Sequence, residues 1–75
     1  MNIKTVAVLD NYHLSIESDD GRKGIFDVTP YLNYEAFQEL KNQKEFQKIY
    51  NGHYYLEWAC GADLSADTIE ASLAF

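Results

Sequence analysis

Between Tyr54 and Leu73 the chain reads Tyr-Tyr-Leu-Glu-Trp-Ala-Cys-Gly-Ala-Asp-Leu-Ser-Ala-Asp-Thr-Ile-Glu-Ala-Ser-Leu, and this stretch holds the only tryptophan and the only cysteine. Tyr54, Leu56 and Trp58 fall on one face and Tyr55 and Glu57 on the other, the period of two expected of a strand with one wet side. Gly61 ends that strand. Ser65 is placed to cap a helix, its hydroxyl accepting a bond from an orphan N–H of the first turn, and Asp67 sits where a carboxylate favours the positive end of the helix dipole. With Ser65 as cap, Leu64 and Ile69 occupy the positions of a hydrophobic staple, so packing sets the angle of entry.

The rest of the chain supplies a sheet for this unit to pack on. Ile3 to Leu9 is rich in β-branched residues and reads as a first strand, closed by the turn formers Asp10-Asn11. The second strand alternates, with Tyr12, Leu14 and Ile16 on one side and His13, Ser15 and Glu17 on the other. Loop length then decides register. A two-residue loop at Asp20-Gly21 would set Leu14 opposite Asp27 and strand Phe26 on the polar face. A three-residue loop, Asp19-Asp20-Gly21 with Gly21 left-handed, pairs Leu14 with Phe26, Tyr12 with Val28, Glu17 with Lys23 and His13 with Asp27.

Thr29-Pro30 is a cap followed by proline, enough for one turn. A short helix is expected over Glu35 to Lys41 with Phe37 and Leu40 inward. A second, capped by Asn42 with Glu45 completing a capping box, carries Phe46 and Ile49. Asn51-Gly52 is the strongest hairpin dipeptide of the chain, and a two-residue loop there pairs Tyr50 with His53 and Ile49 with Tyr54. The last helix runs from Ala66 with Ile69 and Leu73 on one side, and Phe75 ends the chain. The expected fold is α+β: a small antiparallel sheet, made of a three-stranded meander plus a C-terminal hairpin, packed with short helices in the order βββ-α-α-ββ-α. It forms one compact domain over residues 1–75.

At 75 residues the chain is near the lower limit for a single core without a staple, which makes a homodimer or protein partner an expectation. Twelve acidic against six basic side chains give a formal charge of −6, which repels phosphate backbones and anionic lipid. Nucleic-acid binding by this chain alone is therefore not expected. One cysteine forms no internal disulfide, and neither a secretory signal nor a membrane span is read, so a cytoplasmic setting is the expectation.

Cys60 beside Trp58, with His53 near in space, is the pattern of a thiol nucleophile and its base, but no lysine or arginine within several residues lowers the thiol pKa, and a small thiol at a turn explains it better. Cys60, Asp63, Asp67 and a histidine have ligand types for a metal without the paired spacing of zinc sites. Asp63 and Asp67 are accounted for by capping and dipole complementation, and Asp27 by bonding local backbone N–H groups. No enzymatic activity, cofactor or metal is expected. Tyr31, Tyr34, Tyr50 and Tyr55 do not all fit on the core face and are candidates for a protein interface.

Asp20-Gly21, Asp27-Val28-Thr29-Pro30-Tyr31-Leu32, the apolar Phe37, Leu40 and Phe46, and above all Trp58-x-x-Gly61-Ala62-Asp63-Leu64-x-x-Asp67-Thr68-Ile69 resemble the pattern of the bacterial domain-of-unknown-function 2442 family, from about Tyr12 to Ile69. The resemblance implies a compact α+β domain of bacteria and their mobile elements without an established activity, sometimes joined to a C-terminal helix-turn-helix, a part not expected within a sequence that runs to Phe75. It also implies, for some relatives, action beside small partner proteins in toxin–antitoxin style. Two positions depart from the family: Cys60 stands where Asn is usual, and Ala66 where Pro is frequent. The functional expectation is a non-catalytic protein-interaction module, antitoxin-like or a regulatory accessory. The alternative is a small-molecule or metal site at the turn formed by Trp58, Cys60, Asp63 and Asp67.

Overall fold

Leu14, Ile16, Phe26 and Val28 can share one buried face only in a single register, and the structure adopts it. In the computed structural model, which describes residues 1–73, β1 (Ile3–Val8), β2 (His13–Ser18) and β3 (Lys23–Asp27) form an antiparallel sheet with β2 at its centre. The reading of Phe75 lies outside the described residues. Leu14 pairs with Phe26, His13 with Asp27 and Glu17 with Lys23, and Gly21 has φ +88°, as the three-residue loop predicts. The Val28 N–H donates to the Tyr12 carbonyl at 2.9 Å, continuing the pairing. A slip of one residue would exchange Leu14 for Ser15 and Ile16 for Glu17. At roughly 1.5–3 kcal/mol for each large apolar side chain buried, the inward set fixes the register.

The second half builds another antiparallel sheet, from β4 (Ile49–Asn51), β5 (Tyr55–Trp58) and β6 (Asp63–Ser65), with β5 central. The expected hairpin is thus extended by β6. Ala59-Cys60-Gly61 repeats the geometry of Asp19-Asp20-Gly21: the Gly61 N–H donates to the Trp58 carbonyl at 2.9 Å and the Trp58 N–H to the Ala62 carbonyl at 2.8 Å. Gly61 has φ +99°, where any side chain is strained, so a glycine third in this loop turns the chain back.

The β4–β5 register corrects the sequence reading. Ile49 pairs with Trp58, Tyr50 with Glu57 and Asn51 with Leu56, so Tyr50 does not meet His53 nor Ile49 Tyr54. The reversal falls at His53-Tyr54, closed by the Gly52 N–H on the Tyr55 carbonyl at 2.9 Å. This slides the pairing by an even number of residues, so Leu56 and Trp58 still point inward, while Tyr54 leaves the core face for the hairpin tip. Asn51 is diverted from turn-making to a joint between the sheets. Its Oδ1 accepts the His53 N–H at 2.8 Å, and its Nδ2 donates to the carbonyls of Ile3 and Lys4 at 3.2 and 3.3 Å. The Ile3 N–H donates to the His53 carbonyl at 2.7 Å, and His53 Nδ1 lies 2.8 Å from the Ile3 carbonyl. A carbonyl only accepts, so Nδ1 carries the proton there.

Between the sheets run short helical segments. Thr29–Tyr31 makes one 3₁₀ turn, but Thr29 does not cap it: the Asp27 carboxylate accepts the Thr29 N–H at 2.9 Å. Glu35–Lys41 forms as expected in extent and winds as 3₁₀ helix, whose three-residue period stacks Phe37 and Leu40 on one buried line. α1 (Gln43–Phe46) is capped by Asn42, which accepts the Lys44 N–H at 2.9 Å. Glu45 does not return to Asn42 but holds Lys48 at 2.9 Å, so half of the capping box forms, and Ile49 begins β4 instead of ending a helix. α2 (Ala66–Ser72) is capped as predicted, with Ser65 Oγ accepting the Thr68 N–H at 3.1 Å. Leu64 and Ile69 are both buried, in place for the staple.

Candidate functional site

The structure disperses the group formed by Trp58, Cys60, Asp63 and Asp67. Trp58 is 1% exposed and belongs to the core. Its Nε1–H donates to the Phe46 carbonyl at 2.9 Å, its ring stacks on Phe46 at 5.9 Å, and Phe37 meets it edge-on at 6.2 Å. Cys60 is a half-buried free thiol in the β5–β6 loop, on an open hollow of about 490 Å³ lined also by Glu35, Ala36 and Glu39. His53 is held by Ile3 at the opposite end of β5, so no thiol–imidazole pair is assembled. Asp63 is exposed on β6, and Asp67, in the first turn of α2, is 94% exposed and 3.9 Å from the Met1 amine. Among the described residues no group of three or more His, Cys, Asp or Glu is placed to hold a metal ion.

Asp27 has a local role. Its carboxyl is held below the usual carboxylate range by the Thr29 hydroxyl and N–H, with a smaller contribution from His13. The exposed His13 Nε2 to Asp27 Oδ2 approach is 3.8 Å, the cross-strand pair that the register predicts. Such exposed pairs contribute little to stability.

The tyrosines are distributed by the same periodicity that builds the sheets. Tyr31 is half-buried, its ring 5.9 Å from Phe26 and 5.7 Å from Phe37, and so finishes the core. Tyr34 is exposed and leans on Tyr31 at 6.1 Å. Tyr50 and Tyr55 are 62% and 41% exposed, and Tyr54, which the sequence reading placed inward, is 69% exposed at the hairpin tip.

Alternation along β4, β5 and β6 puts Tyr50, Tyr55, Glu57, Asp63 and Ser65 on the outer face of the second sheet. Tyr50 faces Glu57, Glu57 faces Asp63 and Tyr55 faces Ser65. The Tyr55 ring covers Gly52, where a Cβ would collide with it, so glycine is needed for the ring to lie this close to the backbone. Tyr55 then stands 6.4 Å from Tyr50, ring centre to ring centre. Glu57 and Asp63 are both exposed and oppose each other across β5 and β6. Like charges so placed are mutually destabilising. The sequence reading sets Glu57 on the wet face with Tyr55 but names neither Glu57 nor Tyr54 as an interface candidate.

The architecture defines a class: a small α+β domain of two three-stranded antiparallel sheets, joined at their edges and sharing a core with short helices. No helix among the described residues is long and apolar enough to cross a membrane. The chain belongs to the family described as Protein of unknown function (DUF2442), whose model matches residues 3–74. No curated protein and no solved structure matches it.

Proposed function

We propose that this domain is a non-catalytic protein-interaction module that binds a protein partner, or a second copy of itself, through the outer face of the second sheet. The observation that carries the reading is the exposure of Tyr50, Tyr54 and Tyr55 together at one end of that sheet, with two of the rings in contact. Tyrosine offers large contact area at low entropic cost and a polar tip for a hydrogen bond, which is why it is enriched where proteins meet. Free sheet edges add to it, since an extended segment can pair with β3 or β6 through backbone groups. The conspicuous polar residues elsewhere are occupied in caps, turns and the joint between the sheets, which supports a role without chemistry. The antitoxin-like or regulatory accessory role implied by the resemblance is a version of this reading, and the unpaired Cys60 suits action in the cytoplasm.

The test is size-exclusion chromatography with light scattering, joined to affinity capture from the native cell, on the wild-type chain and on Tyr50→Ala/Tyr55→Ala. Association that the double variant loses while staying folded is the expected result. A strict monomer that captures nothing overturns the reading.

A further inference from the structure

We infer that the occupant of this face is an extended, arginine- or lysine-bearing segment of a partner protein and not a second copy of this chain, an inference that rests on the interaction reading above. The row Tyr50, Glu57, Asp63 crosses all three strands, with Tyr55 beside it. At about 4.8 Å between strands the row spans roughly 10 Å. It carries aromatic rings at one end and two opposed carboxylates at the other. Neither carboxylate has an ion pair among the described residues, and Lys48, which precedes β4, is turned onto Glu45 at 2.9 Å. The fold gains nothing from setting Glu57 against Asp63. A cation between them removes the repulsion, and the face of a tyrosine attracts a cation as well.

Alternate side chains of an extended segment stand about 6.5–7 Å apart. One guanidinium of such a segment therefore reaches the tyrosine pair while the next lies over the carboxylates. The formal charge of −6 draws a basic segment in from a distance and sets a second copy, bringing the same carboxylates, against this face.

The experiment is a titration of the isotope-labelled chain, followed by amide chemical shifts, with the peptide acetyl-Arg-Val-Arg-Val-Arg-amide and with its glutamate counterpart. Shifts clustered on β4, β5 and β6 with the arginine peptide alone are expected, falling as salt is added. Affinity drops roughly five- to twentyfold in Glu57→Gln/Asp63→Asn, which keeps the shapes of both side chains and relieves their repulsion, so it folds. No shift on this face, equal binding by the double variant, or equal binding of the glutamate peptide overturns the inference. A dimer in light scattering that Tyr50→Ala/Tyr55→Ala dissolves also overturns it while leaving the interaction reading standing. A monomer that takes neither a partner nor a peptide ends both.

Discussion

Replacing Trp58 by Phe removes one hydrogen bond and part of one ring from the buried core. The indole N–H donates to the Phe46 carbonyl at 2.9 Å, and both side chains are no more than 1% exposed. Phenylalanine leaves that carbonyl without its partner, which costs about 1–3 kcal/mol. The smaller ring leaves a gap of some tens of Å³ between Phe46 and Phe37, worth about 1 kcal/mol more at roughly 24 cal/mol per Å³. The sum, about 2–4 kcal/mol, compares with a total of roughly 4–11 kcal/mol for a chain of 75 residues at about 0.05–0.15 kcal/mol each. Urea unfolding followed by far-UV circular dichroism, which does not depend on the indole, should show a lower midpoint at unchanged slope. Cys60→Ala, at a half-buried loop position, should cost under about 1 kcal/mol in the same assay. If Trp58→Phe costs less than Cys60→Ala, the indole is not the anchor described above and the turn must be reconsidered as a functional unit.

Asn51→Ala removes the donors to the Ile3 and Lys4 carbonyls and the acceptor for the His53 N–H, and should cost about 1–3 kcal/mol with faster hydrogen exchange at the Ile3 amide. Ser65→Ala should lower stability by about 1 kcal/mol through loss of the α2 cap, and Ser65→Asp should retain most of it; thermal melts decide. The Asp20 carboxyl is lowered from 3.8 to about 2 by the Ser18 hydroxyl, the Arg22 N–H and the Arg22 guanidinium. Because the folded value lies below the unfolded one, its contribution is present above about pH 4 and is lost as pH falls towards 2. Asp20→Asn should flatten that limb of the acid-unfolding curve; an unchanged limb would show that the carboxylate is not held as described.

Period-two alternation made the pairing of β2 with β3 legible residue by residue, because Phe26 fits the core in one loop length only, whereas the irregular pairing of β1 with β2 between Ile3 and Thr5 left no mark in the alternation. The Ser65 cap was equally plain, its hydroxyl standing just ahead of Ala66 and Ile69. The β4–β5 turn was not. Asn51-Gly52 carries a strong local preference, but Asn51 is engaged by carbonyls of β1, far away in sequence, and a register slide of even length leaves the inward pattern of Leu56 and Trp58 untouched. Alternation alone could not choose between the two pairings, so Tyr54 was assigned to the wrong side. β6 is so short that its one inward residue, Leu64, served equally well as the staple of α2. The tyrosine face follows from alternation once the strands are placed. The dispersal of Cys60, His53 and Asp67 does not, since nearness in sequence says nothing of which end of β5 a loop occupies.

The clasp of Asn51 and His53 on Ile3 also has a kinetic side. β2 and β3, and β5 and β6, are each tied by tight loops and can meet within their own neighbourhoods. Ile3, however, meets His53 across 50 positions and Asn51 across 48. Closing so long an excursion draws on chain entropy before any reward is returned, so it belongs to the late, slow part of folding. A nascent polypeptide leaving the ribosome would carry its first meander with the leading strand still waiting for a carbonyl to arrive from the second half, and the two halves would become one molecule only when that carbonyl emerged.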